Sequence, residues 1–326
     1  MKDPYLHGLV DTINREIAHY TFGEDPAELY EPIRYMMALG GKRLRPVLTL
    51  LGHSLWKEDT ANALKPALAV EVFHNFTLMH DDIMDQAPLR RGEPTVHEKW
   101  NANIAILSGD VMLVKAYELL LNAQPAILKS VLQKFNQCAA EVCEGQQFDM
   151  NFESRQQVSQ EEYLNMIRLK TAVLLGFSLE LGAMLAGASE AESAQLYQFG
   201  TNIGIGFQLQ DDLLDVYADK EKFGKQVGGD ILSNKKTFLL INALERAEGA
   251  TATQLQSWLQ KTSYEPEEKV AAITAIYEQL GIRALTEAKM NEYFEQAFSL
   301  LDQLELPEER KKRLLSFTHQ LIMRDK

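Results

Sequence analysis

The sequence predicts an all-α protein. Apolar residues recur at helical spacing through four long stretches, 67–85, 101–123, 160–187 and 193–219. Alternating patterns bounded by turn residues, the signature of strands, are scarce. Two DDxxD arrays, Asp81, Asp82 and Asp85, then Asp211, Asp212 and Asp215, each lie inside one of those apolar stretches.

Taken in chain order, the first 20 residues, with scattered Asp and Glu and no long apolar run, are expected to form an amphipathic helix rather than a signal peptide. GGKRLRP then leads into a helix started by Pro46. The stretches 47–56 and 102–121 are apolar over much of their surface, so a dimer interface is expected on them. Segment 86–94 must be a loop because Pro88, Gly92 and Pro94 interrupt it. A flexible segment is expected at 220–234, where Gly224, Gly228 and Gly229 lie among charges, and a polar break around 262–268 contains Pro266. No Ser/Gly-rich linker divides the chain, so residues 1–326 are expected to form a single helical domain.

Composition narrows the function. The 33 basic against 46 acidic residues give a net charge of −13, which argues against general nucleic-acid binding but leaves room for a local basic pocket. Cys138 and Cys143 match no zinc signature and are expected in or near the core. Nothing approaches a transmembrane span, so a cytoplasmic location without stable membrane insertion is expected.

The arrays carry the chemistry. Carboxylates one and four residues apart crowd like charge on one side of a helix, which destabilises it unless something positive sits opposite. Mg²⁺ answers that need, and it usually bridges protein carboxylates to substrate phosphates. Basic residues accompany both arrays: Lys42, Arg43 and Arg45, with 42 and 45 able to share a helical face; Arg90 and Arg91 after the first array; Lys170 beside Thr171; Lys225 and Lys235 after the second. Arg offers a forked donor set to phosphate and Lys a compact charge. His74 lies two turns before Asp81 on the same face and is a candidate pocket residue, while His80 packs or supports its neighbours.

With GGKRLRPVL, HDDIMDQAPLRRG, GQQFDM, YLNMIRLKT, FQLQDDLLD and the later Lys225, Asp230 and Lys235–Thr237 on the page, the chain resembles the trans-isoprenyl diphosphate synthases. The resemblance implies an isoprenoid synthase-like helical bundle around a deep central cavity, and a homodimer. It implies condensation of isopentenyl diphosphate with an allylic diphosphate by loss of diphosphate and attack of the double bond on the resulting cation. It further implies three Mg²⁺ ions, with Asp81, Asp85 and Asp211 as direct ligands and Asp82, Asp212 and Asp215 supporting. Arg90, Lys170, Thr171, Gln208, Lys225 and Lys235 would hold the allylic substrate, and Lys42, Arg45, His74 and Arg91 the isopentenyl diphosphate. Gln146 and Asp149 match the family's GQxxD element.

The last basic motif departs from the family's Gly-Lys-x-Thr followed two residues later by Pro. Here it reads Asn234-Lys235-Lys236-Thr237, with Leu239 in place of the proline, so altered loop geometry is expected and Lys236 could share the role of Lys235. The resemblance also places Phe73, Phe76 and Thr77, just before the first array, at a cavity floor that limits product length to C20, with C15 the close competitor. A terpene cyclase, a longer-chain synthase and a non-catalytic subunit of a heteromeric synthase are the competing readings. The intact second DDxxD and the cations for a second diphosphate favour chain elongation.

Overall fold

The computed structural model describes residues 4–218 and 228–323. Lys225 falls outside the described residues. Apart from one two-stranded hairpin, the regular structure described is helical. The chain divides into two compact units.

The first unit holds residues 1–136, 177–197 and 305–317. It contains α1 (Pro4–His19), α2 (Ala27–Ala38), α3 (Leu44–Ser54), α4 (Leu64–Met84), β1 (Leu89–Arg90), β2 (Glu93–Pro94), α5 (Val96–Lys99) and α6 (Ala102–Leu120). It also includes parts of α7 (Pro125–Ser154), α9 (Val173–Ala186), α10 (Glu190–Tyr217) and α16 (Glu308–Ile322). Helix α3 is buried from Pro46 to Ser54. Glycine makes that burial possible. A Cβ on Gly52 would lie 2.6 Å from the Leu179 carbonyl oxygen, and one on Gly182 would overlap the Thr49 carbonyl, so α3 and α9 meet backbone to backbone. The apolar surface of 47–56 is therefore core, which corrects its expected place in an interface. Helix α6 differs: Leu107, Val114 and Leu121, seven residues apart, are each more than half exposed.

One fully buried ion pair and one with a partly exposed lysine brace this unit. Arg43 donates to Glu71 at 2.7 Å, and Lys134 pairs with Glu180 at 2.9 Å. Glu71 stands in the apolar stretch of α4, where an unpaired carboxylate would be costly. Arg43 also donates to Asn14 and to the Met37 carbonyl, so its charge is spent on internal partners.

The second unit holds residues 137–176, 198–304 and 318–326. It includes α8 (Gln160–Ile167), one π-helical turn (Arg168–Ala172), and α11 (Gly229–Leu232), α12 (Phe238–Arg246), α13 (Gly249–Gln260), α14 (Pro266–Gln279) and α15 (Ile282–Asp302). One core cluster gathers Phe152, Tyr163, Ile167, Leu209 and Phe238; another gathers Leu213, Leu239, Leu255, Ile273 and Tyr277. Both adjoin the second aspartate array, since Leu209 lies two residues before Asp211 and Leu213 lies within the array.

Two further expectations need correction. The run Gln160–Ala186 is long and apolar enough to cross a membrane, but its most apolar window is 83% buried inside the fold, as a core helix is. Cys138 is buried and Cys143 exposed, because residues five apart point about 140° apart on a helix.

The backbone contact of α3 on α9 leads to the first prediction. Gly182→Ala inserts a methyl against the Thr49 carbonyl and should destabilise the chain by roughly 1–3 kcal/mol in denaturant unfolding. An unchanged midpoint would refute the close approach.

Candidate active site

In the first unit, the array occupies the last turn of α4, with Asp85 as its C-cap. Carbonyls at a helix C-terminus present partial negative charge, so the carboxylates add to an already unfavourable potential. Asp82 is buried and bound by the Arg90 guanidinium: Nε reaches both carboxylate oxygens at 2.9 and 2.8 Å and Nη2 reaches Oδ1 at 2.7 Å. Asp81 is half-buried and Asp85 exposed. Three residues before Asp85, the chain thus commits one carboxylate to a protein cation and turns the other two outward.

Arg90 is placed by local structure that the sequence alone reads only as a loop. Leu89–Arg90 pairs with Glu93–Pro94 in a two-residue hairpin whose central residues, Arg91 and Gly92, have φ of 56° and 85°. That is a type I′ turn, which demands positive φ at both positions. Glycine supplies one at no steric cost. Arg91 supplies the other, and its Nη1 donates to the Gly40 carbonyl. A Cβ on Gly41 would lie 2.8 Å from the Arg91 guanidinium, so GGKRLRP makes room for RRG.

The same loop leads into the N-terminus of α3. Arg45 Nη1 donates to His74 Nε2 at 3.0 Å. Because a guanidinium only donates, His74 accepts with a bare Nε2 and is neutral. Burial lowers its pKa well below the ordinary 6.5, and the charges of Arg45, Arg91, Arg90 and Arg43 lower it further. Arg45, His74 and Arg91 thus come together at a helix N-terminus, a setting that favours anions. Lys42 is exposed and precedes α3, which begins at Leu44; it therefore shares no helical face with Arg45, contrary to expectation. Arg43 is buried and turned inward. His80 packs against α6 where Gly109 leaves room for its ring, and its Nε2 donates to the Ile106 carbonyl at 3.1 Å.

Below this array, Phe73 is buried and stacks edge-on against Phe135 with centroids 5.1 Å apart; its ring lies 5.7 Å from Phe76. Phe76 in turn sits 4.8 Å from the His80 ring, and Thr77 donates to the His74 carbonyl. Phe73 and Phe76 thus lie in one aromatic layer between Phe135 and His80, and Thr77 follows Phe76 in the chain.

In the second unit, the array occupies the last two turns of α10, again at a C-terminus. Asp212 is buried; it accepts from Tyr163 Oη at 2.5 Å and from Gln208 Nε2 at 3.4 Å. Burial pushes its pKa up to about 7, opposed first by the Tyr163 hydrogen bond and raised again by the Asp230 charge. Asp215 Oδ2 accepts from the Asp230 backbone N–H at 2.9 Å. Asp211 is exposed. Lys235 lies 3.9 Å from Asp230, whose pKa is raised chiefly by burial.

Lys170 and Thr171 sit in the π-helical turn, where a widened turn re-aims side chains. Lys170 Nζ pairs with Asp149 at 2.6 Å. Gly145 explains how: a Cβ there would overlap the Lys170 backbone, so only glycine lets α7 run against this turn. Gln146 is half-buried on the same helix. Lys236 donates to the Glu153 carbonyl at 3.4 Å, a partner different from that of Lys235. Asn234 takes φ of 55°, a conformation open to glycine and tolerated by asparagine, so the altered motif requires no different backbone there.

The donor set suits a hard cation. Asp81 and Asp85 in the first unit and Asp211 in the second offer only oxygen, the donor type that Mg²⁺ takes, with water and substrate phosphate completing its shell. Sequence reasoning assigned no role to Tyr163 or Glu71, and grouped with the arrays' cations an Arg43 that the fold turns inward to Glu71. An acidic residue inside an apolar run was the available signal for Glu71; nothing in spacing links Tyr163 to Asp212, 49 positions away.

A pH experiment tests the Arg45–His74 contact. The unfolded chain binds a proton at His74 as pH falls through about 6.5, while the folded chain resists until well below, so folding stability falls with pH in that window. His74→Gln should flatten the fall in melting temperature between about pH 7 and pH 5. Identical pH slopes for the two proteins would rule out a neutral, buried His74.

Comparison with known proteins follows from this geometry. Residues 26–278 match the polyprenyl synthetase family. The chain is 42% identical over 250 residues to a geranylgeranyl diphosphate synthase of Methanosarcina mazei, covering 74% of this chain and 77% of the relative. It is 44% identical over 235 residues to a geranylgeranyl pyrophosphate synthase of Geoglobus acetivorans, covering 72% and 73%. A crystal structure of a geranylgeranyl pyrophosphate synthase superposes with a TM-score of 0.93 at 43% identity, over all of both chains. With the match extending across both aspartate arrays and the basic motifs, the chain belongs to the polyprenyl synthetase family, the trans-isoprenyl diphosphate synthases, and is a prenyltransferase.

Proposed function

We propose that this chain condenses isopentenyl diphosphate with an allylic diphosphate to give a trans-prenyl diphosphate, with the C20 geranylgeranyl diphosphate as product. One observation carries the reading. Each array has one buried carboxylate tied to protein donors, Asp82 to Arg90 and Asp212 to Tyr163, while Asp81, Asp85 and Asp211 are less enclosed. Beside the first array stands a separate anion-binding cluster, Arg45, Arg91 and His74 with Lys42 nearby. A cyclase handles a single diphosphate and has no use for that cluster; an elongating synthase handles two.

Asp81 and Asp85 in the first array and Asp211 in the second would hold Mg²⁺, three ions in all, with Asp82 orienting the first array and Asp212 and Asp215 the second. When bound, Mg²⁺ offsets the charge that develops on the departing diphosphate. Arg90, which spends Nε and Nη2 on Asp82, still has donors on Nη1 for the allylic diphosphate. Lys170, Lys225 and Lys235 supply further charge to that leaving group. Gln208 and Thr171 place amide and hydroxyl dipoles where the allylic cation forms. Lys42, Arg45, His74 and Arg91 hold the isopentenyl diphosphate; neutral His74 acts as an acceptor that sets the Arg45 guanidinium.

The allylic C–O bond breaks and its electron pair leaves with diphosphate. The isopentenyl double bond attacks the cation, forming the new C–C bond. The proton lost from the adjacent carbon goes to the departed diphosphate, and no protein nucleophile takes part. Apolar surroundings keep water from quenching the cation.

Incubation of the purified chain with Mg²⁺, isopentenyl diphosphate and C5, C10 or C15 allylic diphosphates should yield mainly C20 product. The names of the relatives at 42% and 44% identity support that length. Phe76→Ala opens the aromatic layer and should shift the distribution to longer chains; no condensation in wild type, or an unchanged length in the variant, would count against the respective assignments.

The chain acts as a cytoplasmic homodimer of single-domain subunits. The exposed Leu107, Val114 and Leu121 stripe on and just past α6 supports self-association, since one apolar row can pack on its own copy about a two-fold axis. Light scattering should give twice the chain mass for wild type and the single-chain mass for Val114→Glu. A monomeric wild type would exclude the dimer.

A further inference from the structure

The segment that follows the second array is gripped by a lysine that faces no carboxylate among its bonded partners. Lys269, on α14, is 0% exposed. Its ammonium donates to Asn234 Oδ1 at 2.7 Å, the Leu232 carbonyl at 3.2 Å and the Tyr264 hydroxyl at 3.4 Å. The Tyr264 ring also lies 4.4 Å from the ammonium, within cation–π range. Three donors thus meet three uncharged acceptors. Burying a charge is costly unless every donor is satisfied, and this arrangement satisfies them.

What the ammonium holds is specific. Leu232 ends α11, so its carbonyl lacks a helical partner. Asn234 sits at φ of 55° and is held on its other side as well, with Nδ2 donating to the Leu259 carbonyl at 3.1 Å. The opposite end of the segment is tied to the array itself. Gly228 N–H donates to the Asp215 carbonyl at 2.6 Å, and Asp230 N–H to Asp215 Oδ2 at 2.9 Å. Gly228 also beds against Val270, the residue after Lys269, where a Cβ would lie 2.7 Å from Val270 Cγ2. Residues 228–235 are therefore pinned at one end by Asp215 and at the other by Lys269, and Asp230 and Lys235 project from the span between.

We propose that Lys269 is a positioning residue for the diphosphate site: by holding Asn234 and the end of α11, it fixes the backbone that presents Lys235 beside the second array. The proposal rests on the reading of Lys235 as a ligand of the allylic diphosphate. Its consequence is selective, because Lys42, Arg45, His74 and Arg91 are read as holding the other diphosphate.

The test compares wild type, Lys269→Met, Asn234→Gly and the double variant. Methionine keeps the stem volume and removes the ammonium; glycine keeps the left-handed backbone and removes the acceptor. Inorganic diphosphate with Mg²⁺ is titrated calorimetrically, and the KM for each condensation substrate is measured. Lys269→Met should weaken diphosphate binding and raise the allylic KM by roughly tenfold, as expected for one displaced charge-assisted contact. The isopentenyl diphosphate KM should stay within about twofold, and the double variant should lose little more than either single one. Additive effects, equal rises in both KM values, or an unchanged allylic KM in folded Lys269→Met or Asn234→Gly would overturn the proposal. If Lys269→Met fails to fold, Asn234→Gly alone decides the same question. Wild type that binds diphosphate but does not condense the substrates would strike the reading of the reaction, while the calorimetric comparison would still judge Lys269.

Discussion

Negative charge concentrated at two helix C-termini is the constraint on which the functional region depends. Each array adds three carboxylates to carbonyls that already carry partial negative charge. Part of the strain is relieved from within. Arg90 takes Asp82 in a forked grip, and Tyr163 and Gln208 satisfy Asp212. Of the other carboxylates, Asp81 and Asp215 are half-buried and Asp85 and Asp211 are exposed. Asp212, buried among neutral donors, has its pKa pushed up to about 7, whereas Asp82 lies against the charge of Arg90, so the two arrays bury a carboxylate in electrostatically different ways.

Glycine and left-handed backbone govern how the basic residues arrive. Arg91 reaches the Gly40 carbonyl because a type I′ hairpin turns the chain back in two residues. Lys170 faces Asp149 because Gly145 lets α7 approach a π-helical turn. Asn234 holds a conformation open to glycine while adding two side-chain hydrogen bonds that glycine could not make. In each case a small or permissive residue places a large charged one. The arginines of the first unit then act together: Arg45 bonds to a histidine that burial first, and their charge second, keeps neutral, so an acceptor stands among donors.

Much of this was legible beforehand, and the failures have identifiable causes. The four apolar stretches appear as α4, α6, α8 to α9, and α10, within a few residues of their expected bounds, because helical periodicity is a local property. The stretch 47–56 read as interface and proved to be core, since periodicity does not say what covers an apolar face; Gly182 on a distant helix does. The loop at 86–94 hid a hairpin because two-residue strands carry no alternation to detect. Cys143 faced outward for a reason the spacing already contained.

The amino-acid sequence by itself determined the helical class, the two arrays, the cations that accompany them and the family to which they belong, because each is a matter of residue type at short spacing. Tertiary structure decided the division of labour. That Asp212 is buried against Tyr163, that Arg43 turns inward to Glu71 while Arg45 turns to His74, and that Lys269 grips Asn234 all depend on partners 28 to 49 positions apart. Burial and pairing across such distances arise only when helices pack, and they turn equivalent-looking charges into unequal ones.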